Sequence, residues 1–454
     1  MEEKKTLTKD MTVGKPMALI WRFSVPLLMG NIFQQMYNLI DTAIVGKFLG
    51  ISALSSVGST GAVMFLILGL CLGMCSGFAI PIAQKFGAKA YSEMRNYVMN
   101  ATYIAIVMAV VITLFTTLLC KNILTWMGTP EDIFDGAYSY LFVILAGIPF
   151  TILYNFLSAV IRALGDSKTP FYFLVISTVL NIVLDVTFIV VFGLGVSGAA
   201  LATIVAQAVS GIACFIYMRM NFDILKLEPY EKDPDGHKIK VLLSMGLPMG
   251  LQFSITAIGT VMLQAAVNGL GSAYVAAYTA VGKIKQLAMC PYDAFANGSA
   301  TFCSQNLGAK KLDRIGEGVK AAITISLIYS VFIAIVLFFG GRYLALIFVD
   351  ASEVSVLNDI SLYLKCASVF YLVLAILNVV RMTIQGLGYS GLSMLAGLSE
   401  LFARGLMSLF VIPTVGYLAV CFTDQIAWVA AAITVSFLYR YVMKKIRERF
   451  NDKT

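Results

Sequence analysis

The sequence is short of charge. Asp, Glu, Lys and Arg make up only 13% of its 454 residues, about half of the roughly 25% usual in soluble domains. Histidine is nearly absent: His237 is the only one, so neither a multi-histidine metal site nor a membrane-embedded His-dependent catalytic set can be built from this chain. No other nucleophile–base or metal constellation emerges, which argues against an intramembrane enzyme and against a bound cofactor. The eight cysteines lie mostly inside apolar runs. Cys71 and Cys75 stand one turn apart with no paired Cys/His set nearby, and they read as small buried hydrophobes. A cleavable leader is not evident either, because the N-terminus is polar for about 16 residues and no small-residue cleavage pattern follows the first apolar stretch.

What the chain has instead is apolar length. Hydrophobic residues make up 59%, in runs such as YIAIVMAVVITLFTTLLC (103–120) and AAITISLIYSVFIAIVLFFGG (321–341). Runs of about 18 or more such residues read as membrane helices. The expected fold is an all-α polytopic membrane protein with twelve transmembrane helices, at 17–45, 52–83, 97–120, 138–163, 170–192, 196–219, 241–268, 272–304, 318–347, 361–387, 391–413 and 419–443. Lys and Arg sort by loop. One side collects Lys4, Lys5, Lys9, Lys15 and Arg22, then Lys85, Lys89 and Arg95, Arg162 and Lys168, the 219–240 connection, Lys310 to Lys320 and the C-terminal tail; the other side has Lys47, Lys121 and Arg342. The positive-inside rule then predicts cytoplasmic termini. It also accounts for the net charge of +8 without a nucleic-acid partner.

The longest polar break, DILKLEPYEKDPDGHKIK (223–240), divides the chain near its middle. We expect an N-terminal six-helix lobe at 1–220, a cytoplasmic linker at 221–240 and a C-terminal six-helix lobe at 241–454. Short matches link the halves. QKFGAK (84–89) returns as QNLGAK (305–310), Leu49-Gly50 as Leu270-Gly271, Pro26 as Pro248, and Ala163-Leu164-Gly165 as Gly386-Leu387-Gly388. Six helices per half give both halves the same orientation, a parallel repeat with a central cavity as the natural substrate site. Gly69, Gly73 and Gly77 make a smooth stripe that lets a neighbouring helix approach closely.

Charged residues inside the spans are the main functional pointers. An aspartate at the bilayer centre costs roughly 2.5–3.5 kcal/mol on insertion scales, so Asp41, in NIFQQMYNLIDTAIVG (31–46), needs an offsetting role. Gln34, Tyr37, Asn38 and Asp41 are spaced to share one helix face. Asp185 follows Asn181 by one turn, and the next span offers Thr203. Counted from the outer loops, Asp41, Asp185 and Thr203 each sit roughly 12 Å down their helices, at 1.5 Å per residue. The repeat places Met262 or Leu263 opposite Asp41, and a position near Ser408 opposite Asp185, so the acidic pair belongs to the N-terminal half. Two carboxylates with amide and hydroxyl oxygens suit a hard cation, H⁺ or Na⁺, and poorly suit a soft metal. Glu400 and Arg404, four apart in the acid-first order, read as an intramembrane ion pair. Lys283, Lys285 and Asp293 form a further polar run in which the two lysines cannot share a face.

Taken together, Pro26 followed by QQMYNLIDTAIVG, the paired QKFGAK and QNLGAK, IRALGDSKTP (161–170) and NIVLDVTFIVVFGLGVSGAALAT (181–203) resemble the multidrug and toxic compound extrusion (MATE) family, most closely its prokaryotic DinF-like branch. The resemblance implies an antiporter of the prokaryotic cytoplasmic membrane, monomeric, that exports small amphipathic, mostly cationic compounds in exchange for H⁺ or Na⁺. It also implies a cation site at Asp41, Asn181, Asp185 and Thr203, a substrate cavity that takes in Gln34, Tyr37, Asn38 and Asn155, and helix hinges at Pro26 and Pro248. The NorM-like branch carries an acidic residue on its seventh helix, and GLPMGLQFSITAIGTVML (246–263) has none here, which favours the N-terminal site and H⁺ over Na⁺. The competing reading is a flippase or exporter of a lipid-linked or other amphipathic metabolite. For anionic headgroups it would need several Arg or Lys along the cavity.

Overall fold

The structure, a computed structural model, describes residues 8–451. Its regular elements are sixteen α-helices joined by short turns, with no strand among the described residues. The N-terminal half runs α1 (Pro16–Leu49), α2 (Ile51–Ser59), α3 (Gly61–Gly87), α4 (Tyr91–Trp126), α5 (Glu131–Ala146), α6 (Ile148–Ala163), α7 (Lys168–Val186) and α8 (Gly195–Asn221). The C-terminal half runs α9 (Gly236–Asn268), α10 (Ser272–Gly308), α11 (Leu312–Ala345), α12 (Val354–Ser368), α13 (Tyr371–Gly386), α14 (Ser390–Leu406), α15 (Ile412–Val415) and α16 (Tyr417–Asn451).

Nine spans are long and apolar enough to cross a membrane, and the bent pairs α5–α6 (46°) and α12–α13 (56°) raise the number to eleven. The helix that apolarity alone misses is α10. Its 37 residues are long enough, but it carries Lys283, Lys285, Asp293 and Asn297, and about half of it is buried in protein instead of facing lipid. With α10 the count reaches the twelve crossings expected. On α4, Val107, Val111, Leu114 and Leu118 are exposed, as are Ile328, Phe332, Ile335 and Phe339 on α11. Such apolar stripes face hydrocarbon in a helix whose backbone bonds are all internal.

The two halves repeat their backbone irregularities, and these mark the duplication more firmly than sequence matches do. Gly50 and Gly271 have φ of 85° and 115°, Gly165 and Gly388 of 84° and 90°, Gly195 and Gly416 of 61° and 77°. The stretches QKFGAK and QNLGAK end on Lys89 and Lys310, the only non-glycine residues with positive φ (56° and 60°) among the described residues. A left-handed lysine costs roughly 1–2 kcal/mol, and its recurrence at the same helix end points to a shared ancestral turn. A π-helical segment also recurs, at Thr187–Val191 after α7 and at Met407–Val411 after α14.

Packing divides the chain into two compact units whose borders lie inside α1 and α9. One comprises the chain up to Asp10 and Met29–Gly250; the other comprises Met11–Leu28 and Leu251–Thr454. The 221–240 connection falls wholly within the first unit. Both borders come just after a proline within a helix, Pro26 and Pro248, where a backbone hydrogen bond is lost and the helix bends easily.

In the first unit, the start of α9 lies directly on the glycine stripe of α3. A Cβ at Gly73 would meet the Met249 carbonyl oxygen at 2.5 Å, and one at Gly77 would meet Gly246 Cα at 2.6 Å. In the second unit, the start of α1 packs on α10 in the same manner, with a Cβ at Gly298 only 2.4 Å from Ser24 Oγ and Trp21 stacked on Phe295 at 5.9 Å.

The connection between α8 and α9 is strapped to α4. Arg95 Nε and Nη2 each donate to a Glu231 carboxylate oxygen at 2.6 Å. Asn96 donates to the Glu231 carbonyl at 2.9 Å, and Tyr103 to that of Lys232 at 2.8 Å. The bidentate Arg95 guanidinium holds the Glu231 carboxyl down at about 2, below its ordinary 4.5.

Two outcomes are expected. Gly77→Leu inserts a side chain where backbone meets backbone. It should destabilise the protein by at least the roughly 1–3 kcal/mol of ordinary overpacking, read as a lower thermal midpoint in detergent. A carboxyl with a depressed folded pKa contributes its full stability above the unfolded value and loses it as pH falls through the folded one. Wild-type thermal stability should therefore decline between about pH 4.5 and about pH 2, and Glu231→Gln should lower the midpoint at neutral pH and flatten that decline.

Candidate cation site

The part of α1 that belongs to the first unit carries Asp41 toward α7 and α8. Asp41 is 8% exposed, Asn181 2% and Asp185 0%. Tyr37 is half-buried on the same helix, and its hydroxyl meets Thr203 Oγ1 at 2.9 Å. Asn181 Nδ2 donates to the same Thr203 oxygen at 3.4 Å. Thr203 Oγ1 in turn reaches the Ala199 carbonyl at 3.2 Å, one turn back on α8. The Tyr37 and Thr203 hydroxyls thus spend their donors on Thr203 and on the backbone, and Asn181 spends one of its two N–H groups on Thr203.

What remains is a surplus of acceptors. Asp41 Oδ1, both oxygens of Asp185 and Asn181 Oδ1 are buried without a hydrogen-bond donor. The Asp41 and Asp185 carboxyl groups lie close enough to interact directly. Two carboxylates are both acceptors, so a bond between them needs a proton on one. Buried acceptors without donors are costly, and a small cation or a proton is the kind of partner that would relieve this arrangement. Tyr140, 4% exposed on α5, also lies within electrostatic reach of both carboxyl groups. The apolar cluster of Val45, Ile144, Ile189, Ala199 and Ile204 packs around it. Among the described residues, no three His, Cys, Asp or Glu side chains converge as a metal site.

Other candidates lie elsewhere. Gln34 and Asn38 are exposed, while Tyr37 and Asp41 turn inward, so the polar face of α1 is split. Asn155 is half-buried and donates to the Thr151 carbonyl at 2.8 Å, within α6.

The C-terminal half builds a different polar centre on the same scaffold. The matched π segments place Gly405, instead of a residue near Ser408, opposite Asp185. A Cβ at Gly405 would lie 3.3 Å from Met262 Cε, the side chain opposite Asp41. The acid pair is thereby replaced by methionine against glycine. The glycines Gly195 and Gly416 place Asp424 opposite Thr203. Asp424 Oδ1 accepts from Arg404 Nε at 2.9 Å, and Oδ2 accepts from Tyr363 at 3.0 Å and from Lys285. Glu400 binds Arg381 and lies 3.6 Å from Arg404 Nη1. The ion pair expected between Glu400 and Arg404 is therefore one link in a chain of five charges. Asp424 and Arg381 were not singled out in the sequence. A charge within an apolar span was the available signal for both, and the repeat position of Thr203 a second one for Asp424.

Comparison with known proteins identifies the family. The MatE family model matches twice, at residues 26–187 and 248–404, each match opening on one of the two helix prolines. The chain is 27% identical over 364 residues to the probable multidrug resistance protein YpnP of Bacillus subtilis, covering 80% of each chain. It is 25% identical to the multidrug export protein MepA of Staphylococcus saprophyticus, over 73% of this chain and 74% of that one. Among solved structures, an outward-facing multidrug resistance MATE family transporter of the MOP superfamily matches with a TM-score of 0.91 at 24% identity, over 98% of this chain and 100% of that chain. With both halves matched, the chain belongs to the MatE family, whose members are membrane transporters and not enzymes.

Proposed function

We propose that this protein is a cation-coupled antiporter that exports amphipathic, mostly cationic compounds, and that the coupling cation, H⁺ in preference to Na⁺, is taken up between Asp41 and Asp185. The observation that carries this reading is the set of four buried acceptor oxygens on Asp41, Asn181 and Asp185 that lack a donor. Both Asp185 oxygens are among them, and a single proton shared with Asp41 would join one oxygen of each carboxyl group and remove the repulsion between two negative charges. Na⁺ would draw on the same oxygens, but a proton needs no ligand shell beyond the two carboxyl groups. The names of the relatives, a multidrug resistance protein and a multidrug export protein, support the class of cargo.

Alternating access follows from the same elements. Pro26 and Pro248 stand where α1 and α9 pass from one packing unit to the other, and they are the hinges in this reading. The Lys/Arg bias of the connections supports a cytoplasmic membrane location with both termini on the cytoplasmic side. A flippase of anionic headgroups would call for free cationic side chains, whereas Arg381, Arg404 and Lys285 are engaged by Glu400 and Asp424.

Asp41→Asn and Asp185→Asn should each slow export of an ethidium-like cation by at least about tenfold, equivalent to roughly 1.4 kcal/mol of barrier, without lowering the thermal midpoint. Export at the wild-type rate by both variants would overturn the site. In sodium-free vesicles, an imposed pH gradient should drive transport by itself. If it does not, and sodium restores transport, the coupling ion is Na⁺.

A further inference from the structure

Lys285 lies outside the acid pair, and its surroundings are more elaborate than an ion pair requires. Lys283 is exposed, whereas Lys285 turns into the protein, with its side chain 17% exposed. Its Nζ donates to Asp424 and lies 5.6 Å from the Trp428 ring centroid and 5.9 Å from that of Tyr363. Asp424 and Trp428 are one turn apart on α16 and share a face. Tyr363 donates its hydroxyl to the same Asp424 oxygen at 3.0 Å. Asp424 is 3% exposed, Trp428 2% and Tyr363 0%. An ammonium between aromatic rings with a carboxylate behind it is the arrangement by which proteins recognise organic ammonium ions.

Helix packing does not explain this cage. Arg404 already lies 2.9 Å from Asp424 and neutralises it, so Lys285 is a second cation on one carboxylate, held at the cost of removing its ammonium from water. The repeat makes the same point. In the N-terminal half the positions of Lys285, Asp424 and Trp428 hold Met64, Thr203 and Gln207, and only Tyr363 has a like counterpart, Tyr140. The same scaffold folds without the cage.

We infer that Asp424, Tyr363 and Trp428 form a subsite for an organic ammonium group, and that Lys285 is its tethered occupant, which gives way to the ammonium of a cargo molecule. This deepens the export reading above and rests on it for the identity of the cargo. Replacing one ammonium by another leaves the charge at Asp424 unchanged, and the flexible lysine stem allows the head group to withdraw. The site selects primary, tertiary or quaternary ammonium compounds small enough at nitrogen to fit between two rings.

The test uses the full chain in lipid nanodiscs without an ion gradient, so its result does not depend on the Asp41–Asp185 coupling. Trp21→Phe and Trp126→Phe leave Trp428 as the sole tryptophan reporter, since the chain has three. Lys285→Ala removes the atoms that n-propylammonium would restore. The variant should bind n-propylammonium saturably, at least about tenfold more tightly than the protein with Lys285 in place (roughly 1.4 kcal/mol). Tetramethylammonium should compete, and adding Asp424→Asn should abolish binding. No saturable binding, or equal binding after Asp424→Asn, overturns the subsite. In transport, Lys285→Met should lower KM for a monovalent quaternary ammonium by about tenfold and leave that of a neutral substrate unchanged; an unchanged or raised KM overturns the exchange. Lys285→Met also serves for the binding measurement should Lys285→Ala not be recovered folded.

Discussion

A charge within lipid must be matched, and this constraint organises the protein more than any apolar contact does. Water is absent to take up the difference, so each buried carboxylate needs a cation, a donor or a proton. The two halves answer in opposite ways. In the C-terminal half, Asp424 is answered by Arg404, Lys285 and Tyr363, and Glu400 by Arg381 and Arg404. In the N-terminal half, Asp41 and Asp185 meet each other while the Tyr37 and Thr203 hydroxyls bond elsewhere. The carboxylates of the first set are answered by neighbouring cations, and those of the second only by each other.

The duplication makes that contrast interpretable. Helix breaks, left-handed residues and π segments recur in both halves, so the backbone that presents Thr203 also presents Asp424. Moving the carboxylate from α1 and α7 in one half to α16 in the other changed the chemistry without changing the turns. Such drift is expected where the scaffold sets position and a few side chains set function.

Much of this was legible in the sequence, for physical reasons. Apolar length revealed the crossings because the bilayer fixes how long a span must be. Even α10 was counted as the span 272–304, although its polarity defeats a stricter hydropathy criterion. Asp41, Asn181, Asp185 and Thr203 stood out because lipid makes polar residues conspicuous. The division of α1 and α9 between packing units was not legible, since a proline marks a bend but does not say what each side packs against. Nor was the coupling of Lys285 to Asp424, separated by 139 positions, because helical spacing reports neighbours on one helix and not partners on another. Exposure of Gln34 and Asn38 beside buried Asp41 shows the same limit: a shared face spans about a hundred degrees, wide enough to be half in and half out.

The path of α1 ties the acid pair to the rest of the molecule. Its first part packs on α10 in one unit, and its remainder, past Pro26, carries Tyr37 and Asp41 into the other. Tyr37 ties that remainder to α8 through Thr203, the residue that Asn181 also holds. A cation taken up by the acid pair would remove the repulsion between two buried carboxylates and so alter how α1 seats against α7 and α8. The same helix continues through a proline into the second unit, so a change in seating at Asp41 has a covalent route across the border and needs no chain of side-chain contacts. The placement of Asp41, one member of that pair, on a helix shared by both units is therefore the feature that fits the proposed coupling of a small ion to movement of the transporter.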